Sequence, residues 1–264
     1  MTLIAIVLLL SVALIFSPLG LGGGVLYVPI LHYLLDWEMQ EALTGSLSLI
    51  LMVALGSSFA HSKSGYADNK VSNIGRITAM PAAIIGAILS GILIDLVGDI
   101  VIKILATMII VYVIERTITK MRTETVEIEK QIDISEKKQQ YQFGTAFAGL
   151  SSGLLGIGGG AILVTLNRSL LKMDAHKAAG TSYLIVLTIV PVALLSHILL
   201  DGVTGDIYDK IGLLGIIIIP TLVLLCSYFG AKYAIKNISK NMVTIVFLCA
   251  ISVSLIRYTI DFIQ

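Results

Sequence analysis

The chain has 264 residues, of which 56% are hydrophobic and only 13% charged, and its formal net charge is +1. With a mean hydropathy of +0.95, it has too few polar side chains to cover a water-soluble surface, which excludes an ordinary soluble domain and indicates an all-α polytopic membrane protein. No basic patch suggests nucleic acid. We therefore expect the lipid bilayer, and no nucleic acid, among its partners.

The chain begins with an apolar run, 2–35, that is interrupted by glycines, and a second interrupted run covers 143–171. No basic residue precedes Lys63, so the start lacks the charged region of a signal peptide and we expect it to belong to the mature protein. The uninterrupted runs are long enough for membrane spans of about 20 residues. The predicted spans are 39–60, 74–96, 100–119, 178–200, 211–231 and 242–263.

One glycine pattern occurs twice, 136 residues apart, and the sequence after each copy also matches. Ser46 falls on Ser182 and His61 on His197 at the same offset. This predicts an internal duplication: repeat 1 at 1–119, a cytoplasmic linker at 120–140, and repeat 2 at 141–264, each with a broken helix or re-entrant hairpin followed by three spans. The two patterns are Gly20-Leu21-Gly22-Gly23-Gly24 and Gly156-Ile157-Gly158-Gly159-Gly160.

Adjacent glycines inside a membrane segment favour a break in the helix, because glycine permits the bend and irregular backbone is tolerated only where it is buried in protein or lines a cavity. Backbone amides and the following helix N-terminus would then suit a small anion. Close helix packing is the alternative for the glycines, and bonding to a carbonyl of the same helix is the alternative for the hydroxyls. The predicted substrate-binding residues are Gly20, Gly22, Gly23, Gly24, Thr44, Ser46, Gly156, Gly158, Gly159, Gly160, Thr181 and Ser182.

His61 and His197 are candidates for proton coupling, since imidazole titrates near neutral pH. The alternative is that each lies at a membrane surface without a functional role. We predict no catalytic residue, no metal site and no cofactor.

Loop charge predicts the sidedness, because cytoplasmic loops collect Lys and Arg. The acidic loop after the first glycine run is placed outside, whereas the equivalent loop after the second carries Arg168, Lys172 and Lys177 and is placed inside. The repeats are therefore predicted to be inverted, with both termini outside. A parallel eight-span arrangement is the alternative, and it requires one basic loop on the wrong side.

The paired glycine runs, the Ala178 to Ser182 sequence and its Thr44-Gly45-Ser46 relative resemble the TauE/SafE family of sulfite and organosulfur-anion exporters. The resemblance implies a secondary transporter in the cell membrane for a small anion such as sulfite, thiosulfate or a sulfonate like sulfoacetate. By the general plan of such transporters, substrate would be held near the membrane midplane and reached by alternating access.

An anion channel is the nearest rival function, and an intramembrane serine protease is a rival of another class. The protease would need a serine beside a histidine. His61 lies about 15 residues along the helix from Ser46, or roughly 22 Å, which argues against it. A homodimer is also compatible with the sequence.

Overall fold

The computed structural model describes residues 2–123, 131–237 and a few positions beyond 244, and these residues are almost entirely helical. A 3₁₀ turn, Ser17–Leu19, follows the first helix, and a π-helical turn, Ile30–Leu34, extends the second. The helices of the first half are α1 (Thr2–Phe16), α2 (Gly24–Pro29), α3 (Met39–Lys63), α4 (Asn69–Val97) and α5 (Ile100–Thr123). Those of the second half are α6 (Ile134–Leu155), α7 (Gly160–Ser169), α8 (Ala175–Leu200) and α9 (Thr204–Asn237).

Four helices are long and apolar enough to cross a membrane: Met39–Lys63, Asn69–Val97, Ala175–Leu200 and Thr204–Ile235. They coincide with four of the predicted spans and confirm the polytopic membrane fold. The predicted span 100–119 forms α5, and 242–263 lies largely outside the described residues. Helices also extend into the predicted linker, because α5 ends at Thr123 and α6 begins at Ile134.

Helices of the two halves pack on one another. In the first half α4 contacts α6 and α8, and in the second half α9 contacts α1 and α3. The α4–α6 contact leaves no room for side chains at two glycines of α6: a Cβ atom added at Gly149 would lie 2.1 Å from the Ala79 carbonyl oxygen, and one at Gly153 would lie 2.0 Å from that of Ala83. Small residues here let the two backbones approach closely. The first helix of each half is thus held by the other half.

The ends of the α6–α7 unit meet at one face of the molecule, where the Ile132 amide donates a hydrogen bond to the Leu171 carbonyl at 3.1 Å. The unit is therefore a hairpin with the glycine run at its tip, as the fold prediction expected. Lys177 approaches Asp68 at 3.4 Å on the same face.

Glu41, at the start of α3, pairs with Lys210 near the start of α9. This pair joins the loop that precedes α3 to the α8–α9 loop. The beginnings of α3 and α9 therefore lie close together.

Candidate functional site

The two glycine runs share one backbone conformation. In each run the glycines at the first, third and fourth positions have a positive φ, a conformation that residues with a Cβ atom rarely adopt. The helix stops at each run and a new one, α2 or α7, begins at the fifth residue, so the predicted break is confirmed in both copies. The φ values are 78°, 71° and 81° at Gly20, Gly22 and Gly23, and 62°, 74° and 66° at Gly156, Gly158 and Gly159.

The two runs lie directly against each other. A Cβ atom added at Gly24 would lie 2.5 Å from the Ile157 carbonyl oxygen, and one added at Gly160 would lie 2.7 Å from the Gly20 carbonyl oxygen. Gly24 and Gly160 are equivalent positions 136 residues apart, so each run meets the first helical residue of the other. Helices α2 and α7 begin there without a hydrogen-bonding side-chain cap.

Each run also packs on the long helix of the opposite half. A Cβ atom at Gly20 would lie 2.6 Å from the Cα atom of Ala179 in α8, and one at Gly156 would lie 3.0 Å from the Cα atom of Leu43 in α3. These two contacts again join equivalent residues. The glycines therefore serve close packing as well as the bend, so that both readings of the sequence apply to them.

Ser46 and Ser182 fix the turns across the two halves. The Ser46 hydroxyl donates to the Gly156 carbonyl at 2.7 Å, and the Ser182 hydroxyl donates to the Gly20 carbonyl at 3.2 Å. Both serines are fully buried. A hydroxyl has one proton to donate, so in this conformation these serines hold the glycine turns in place. Direct donation from them to a substrate stays a prediction.

The two predicted threonines make other contacts. The Thr44 hydroxyl donates to the Gln40 carbonyl at 2.9 Å, which is the bond within one helix that the alternative described. The Thr181 hydroxyl accepts a hydrogen bond from the Asp68 amide at 3.0 Å and ties α8 to the α3–α4 loop. Among the described residues, two of the four predicted hydroxyl groups contact the glycine runs, and these are the two serine hydroxyls.

The two histidines are fully buried, and their role in proton coupling stays a prediction. They differ in their partners. His197 has an acceptor at each ring nitrogen: Asp201 at 2.7 Å from Nδ1, and the Gly153 carbonyl at 2.7 Å from Nε2. Neither ring nitrogen of His61 has a hydrogen-bond partner of good geometry among the described residues.

The sulfite exporter TauE/SafE family matches residues 3–258 of the chain. The chain belongs to this family. It is also similar to the probable membrane transporter protein YunE of Bacillus subtilis (strain 168), with 29% identity over 200 residues that cover 69% of this chain and 73% of the relative. No solved structure matches the chain. Family and relative both support a transporter role.

Three further buried polar residues of this TauE/SafE member surround the first glycine run, and sequence reasoning missed them. The Tyr183 hydroxyl donates to the Phe16 carbonyl at 3.3 Å and lies beside the Gly20 and Gly22 amides and the Ser57 hydroxyl. The Tyr27 ring would lie 3.2 Å from a Cβ atom at Gly23. Tyr27, Ser57 and Tyr183 are all fully buried.

The segments that carry the glycine runs, and the central parts of α3 and α8, contain no fixed positive charge. Residues 16–30 and 154–166 contain no Lys or Arg, and neither do the portions 39–60 of α3 and 178–200 of α8. Any anion held at this point of the TauE/SafE fold would be bound by backbone amides, helix N-termini and hydroxyl or imidazole groups. Such donors recognise acceptor geometry as well as charge.

Proposed function

We propose that this protein is a secondary carrier for a small sulfur-containing oxyanion, such as sulfite, thiosulfate or a sulfonate like sulfoacetate. The supporting observation is the contact between the two glycine runs, where two interrupted helices from different halves of the chain meet. Two broken helices that face each other are a recurring binding plan of secondary transporters. Membership of the sulfite exporter TauE/SafE family favours a sulfur oxyanion as the substrate.

We further propose that the two halves are inverted repeats and that substrate reaches the glycine runs from alternate sides. The orientation of the equivalent helices α3 and α8 supports the inversion. His61, near the end of α3, has its ring centroid 5.9 Å from that of Tyr183 and 6.4 Å from that of His176, both near the beginning of α8. The end of one helix thus lies beside the beginning of its equivalent, an arrangement that inverted repeats would produce.

The loop contacts support the proposed sidedness. Lys177 and Lys70 lie near Asp68 and Asp133, which brings the basic α3–α4 and α7–α8 loops to the same face as the end of the linker. By the positive-inside rule this face is cytoplasmic. The face that carries the Glu41–Lys210 pair is then outside the cell membrane.

Flux through proteoliposomes tests the proposal. Vesicles that contain the purified protein should take up sulfite, thiosulfate or sulfoacetate faster than protein-free vesicles, with a rate that saturates. Sulfate, a tetrahedral anion whose charge is shared by four oxygen atoms, serves as the comparison anion in the panel. Uptake of none of these anions above the protein-free rate would refute the proposal.

Counterflow separates a carrier from a channel. In a carrier, unlabelled anion inside the vesicle should accelerate entry of labelled anion. An internal anion that binds to the inward-facing site lets that site return to the outer side. A channel would show no such acceleration and a rate that keeps rising with concentration. That second result would leave anion transport standing and exclude alternating access.

A further inference from the structure

Four buried polar atoms without a hydrogen-bond partner of good geometry among the described residues gather on one side of the first glycine run. They are the Tyr27 hydroxyl, the Ser57 hydroxyl and both ring nitrogens of His61. Each of these side chains is fully buried. A buried polar group without a partner keeps its desolvation penalty, so native proteins seldom place several of them together without a use for them.

Tyr183 joins these groups to the glycine run. Its ring lies 5.9 Å from that of His61 between centroids, and its hydroxyl lies beside Ser57 and the Gly20 and Gly22 amides. Tyr27 is close enough to Tyr183 for the two phenols to interact electrostatically. Ser57 and His61 are four residues apart on α3 and so project from one face of that helix.

The equivalent histidine of the second half differs from His61, because both of its ring nitrogens already have hydrogen-bond partners. His197 is held by Asp201 and by the Gly153 carbonyl. The position equivalent to Asp201 in the first half is Gly65, so His61 has no such carboxylate at its own helix end. The groups that face His61 from neighbouring elements include Tyr183 and His176 of α8, Asp174 at the N-cap of that helix, and backbone groups of Ser17 and His176.

We propose that Tyr27, Ser57 and His61, gathered around Tyr183, bind the transported oxyanion at the first glycine run. The inference rests on the proposed function and assigns its substrate contacts. Two hydroxyls and an imidazole N–H are donors for the several acceptor oxygens of sulfite or thiosulfate, and they leave no fixed cation that would trap the anion. The substrate class is a small oxyanion with three or more acceptor atoms.

The test separates a binding role from a packing role by measuring two quantities. Tyr27→Phe removes a buried hydroxyl that has no hydrogen-bond partner of good geometry among the described residues, and Ser57→Ala removes one that approaches the Tyr183 hydroxyl. The melting temperature of the purified protein should therefore stay the same or rise for Tyr27→Phe and change little for Ser57→Ala. The KM for sulfite flux in proteoliposomes should rise about tenfold for each variant, since a hydrogen bond to a charged group is lost. His61→Gln should raise the KM by at least as much.

Matched controls come from buried residues of the same types whose polar groups have partners. Tyr141 donates to the Asn167 side chain at 2.7 Å, and Ser151 donates to the Phe147 carbonyl of its own helix at 2.9 Å. Tyr141→Phe should lower the melting temperature with an unchanged KM, and Ser151→Ala should change neither quantity appreciably.

The two proposals fail in different ways. Sulfite flux at the unmodified rate with unchanged KM in Tyr27→Phe, Ser57→Ala and His61→Gln would overturn this inference, and the four atoms would then hold only water. Absence of flux for the whole anion panel in the unmodified protein would overturn the proposed function and the inference with it. A raised KM confined to the three variants and absent from the two controls would support the site.

Discussion

The Ser46 hydroxyl donates a hydrogen bond to the Gly156 carbonyl at 2.7 Å, and it does so across 110 residues of sequence. Its counterpart, Ser182, donates to Gly20 at 3.2 Å and lies 3.4 Å from the Gly160 carbonyl as well. Each half of the chain thus fixes the turn of the other half. The bond from Ser46 is shorter, and a single carbonyl receives it.

We expect Ser46→Ala to lower the free energy of unfolding by about 1–3 kcal/mol, because the Gly156 carbonyl loses its buried donor. Ser182→Ala should cost less, since its bond is longer and shared. The melting temperature of the purified protein measures both effects, with Ser151→Ala as the buried control. If Ser46→Ala and Ser151→Ala had the same melting temperature, the Ser46 hydroxyl would not be fixing the turn.

Alanine at Gly24 or Gly160 tests whether the two glycine runs touch. Both positions lie in helical backbone, where alanine is locally favoured over glycine by about 1 kcal/mol. The added methyl group would instead meet a carbonyl oxygen of the other run, at 2.5 Å for Gly24 and 2.7 Å for Gly160. Overpacking of this kind typically costs 1–3 kcal/mol, so each variant should have a lower melting temperature and reduced flux.

The control for this pair is Gly205→Ala in α9, where an added Cβ atom has nothing within 4 Å. It should be neutral or slightly stabilising. Equal stability of Gly24→Ala, Gly160→Ala and Gly205→Ala would contradict the contact between the runs.

Asp36 and Lys172 allow a test of inversion at equivalent positions. They are 136 residues apart, both follow a glycine-broken helix, and both have a left-handed backbone, with φ of 53° and 55°. Both are exposed. In a chain with Cys226 and Cys249 replaced, a cysteine at position 36 should react with an impermeant thiol reagent from outside intact cells, and a cysteine at position 172 only after permeabilisation. Labelling of both from the same side would establish parallel repeats.

Asp133 caps α6, and its pKa is lowered to about 2 by hydrogen bonds from Ser135 and by Lys70. A lowered folded-state pKa gives stability that is present above the unfolded value of about 3.9 and is lost as the pH falls toward 2. Asp133→Ala should lower the melting temperature of the purified protein at pH 7, because the first turn of α6 loses its side-chain cap.

The melting-temperature difference between Asp133→Ala and the unmodified protein should shrink between pH 4 and pH 2. Lys70→Met should have a smaller effect, because an exposed ion pair contributes little. A difference that is constant down to pH 2 would assign the effect to packing.

The glycine breaks, the spans and the family could all be predicted from the sequence, because repeated glycines and long apolar runs are strong local signals. The contacts of Ser46 and Ser182 could not, since they depend on which half packs against which. The sequence comparison did not predict a role for Tyr27, Ser57 and Tyr183, and the reason is different. Their equivalent positions hold Leu163, Ala193 and Leu47, so a comparison of the two copies treats them as apolar positions and passes over the asymmetry between the halves.

The histidines illustrate the same limit. Their positions near helix ends left a place at the membrane surface open, and the structure buries both side chains in protein. The sequence places Asp201 one helical turn after His197 and Gly65 at the equivalent position after His61, and the structure shows that Asp201 pairs with His197.

The packing of α1 on α9 sets the order in which this chain can mature during synthesis. Helix α1 ends at Phe16, whereas α9 begins at Thr204, so the first helix precedes its main partner by about 190 residues. At a translation rate of about 5–20 residues per second it waits roughly 10–40 s. The α4–α6 contact closes much earlier. The second glycine turn therefore has its supporting helix before the first one does, and α9, a helix that is synthesised late, completes the packing of the first half.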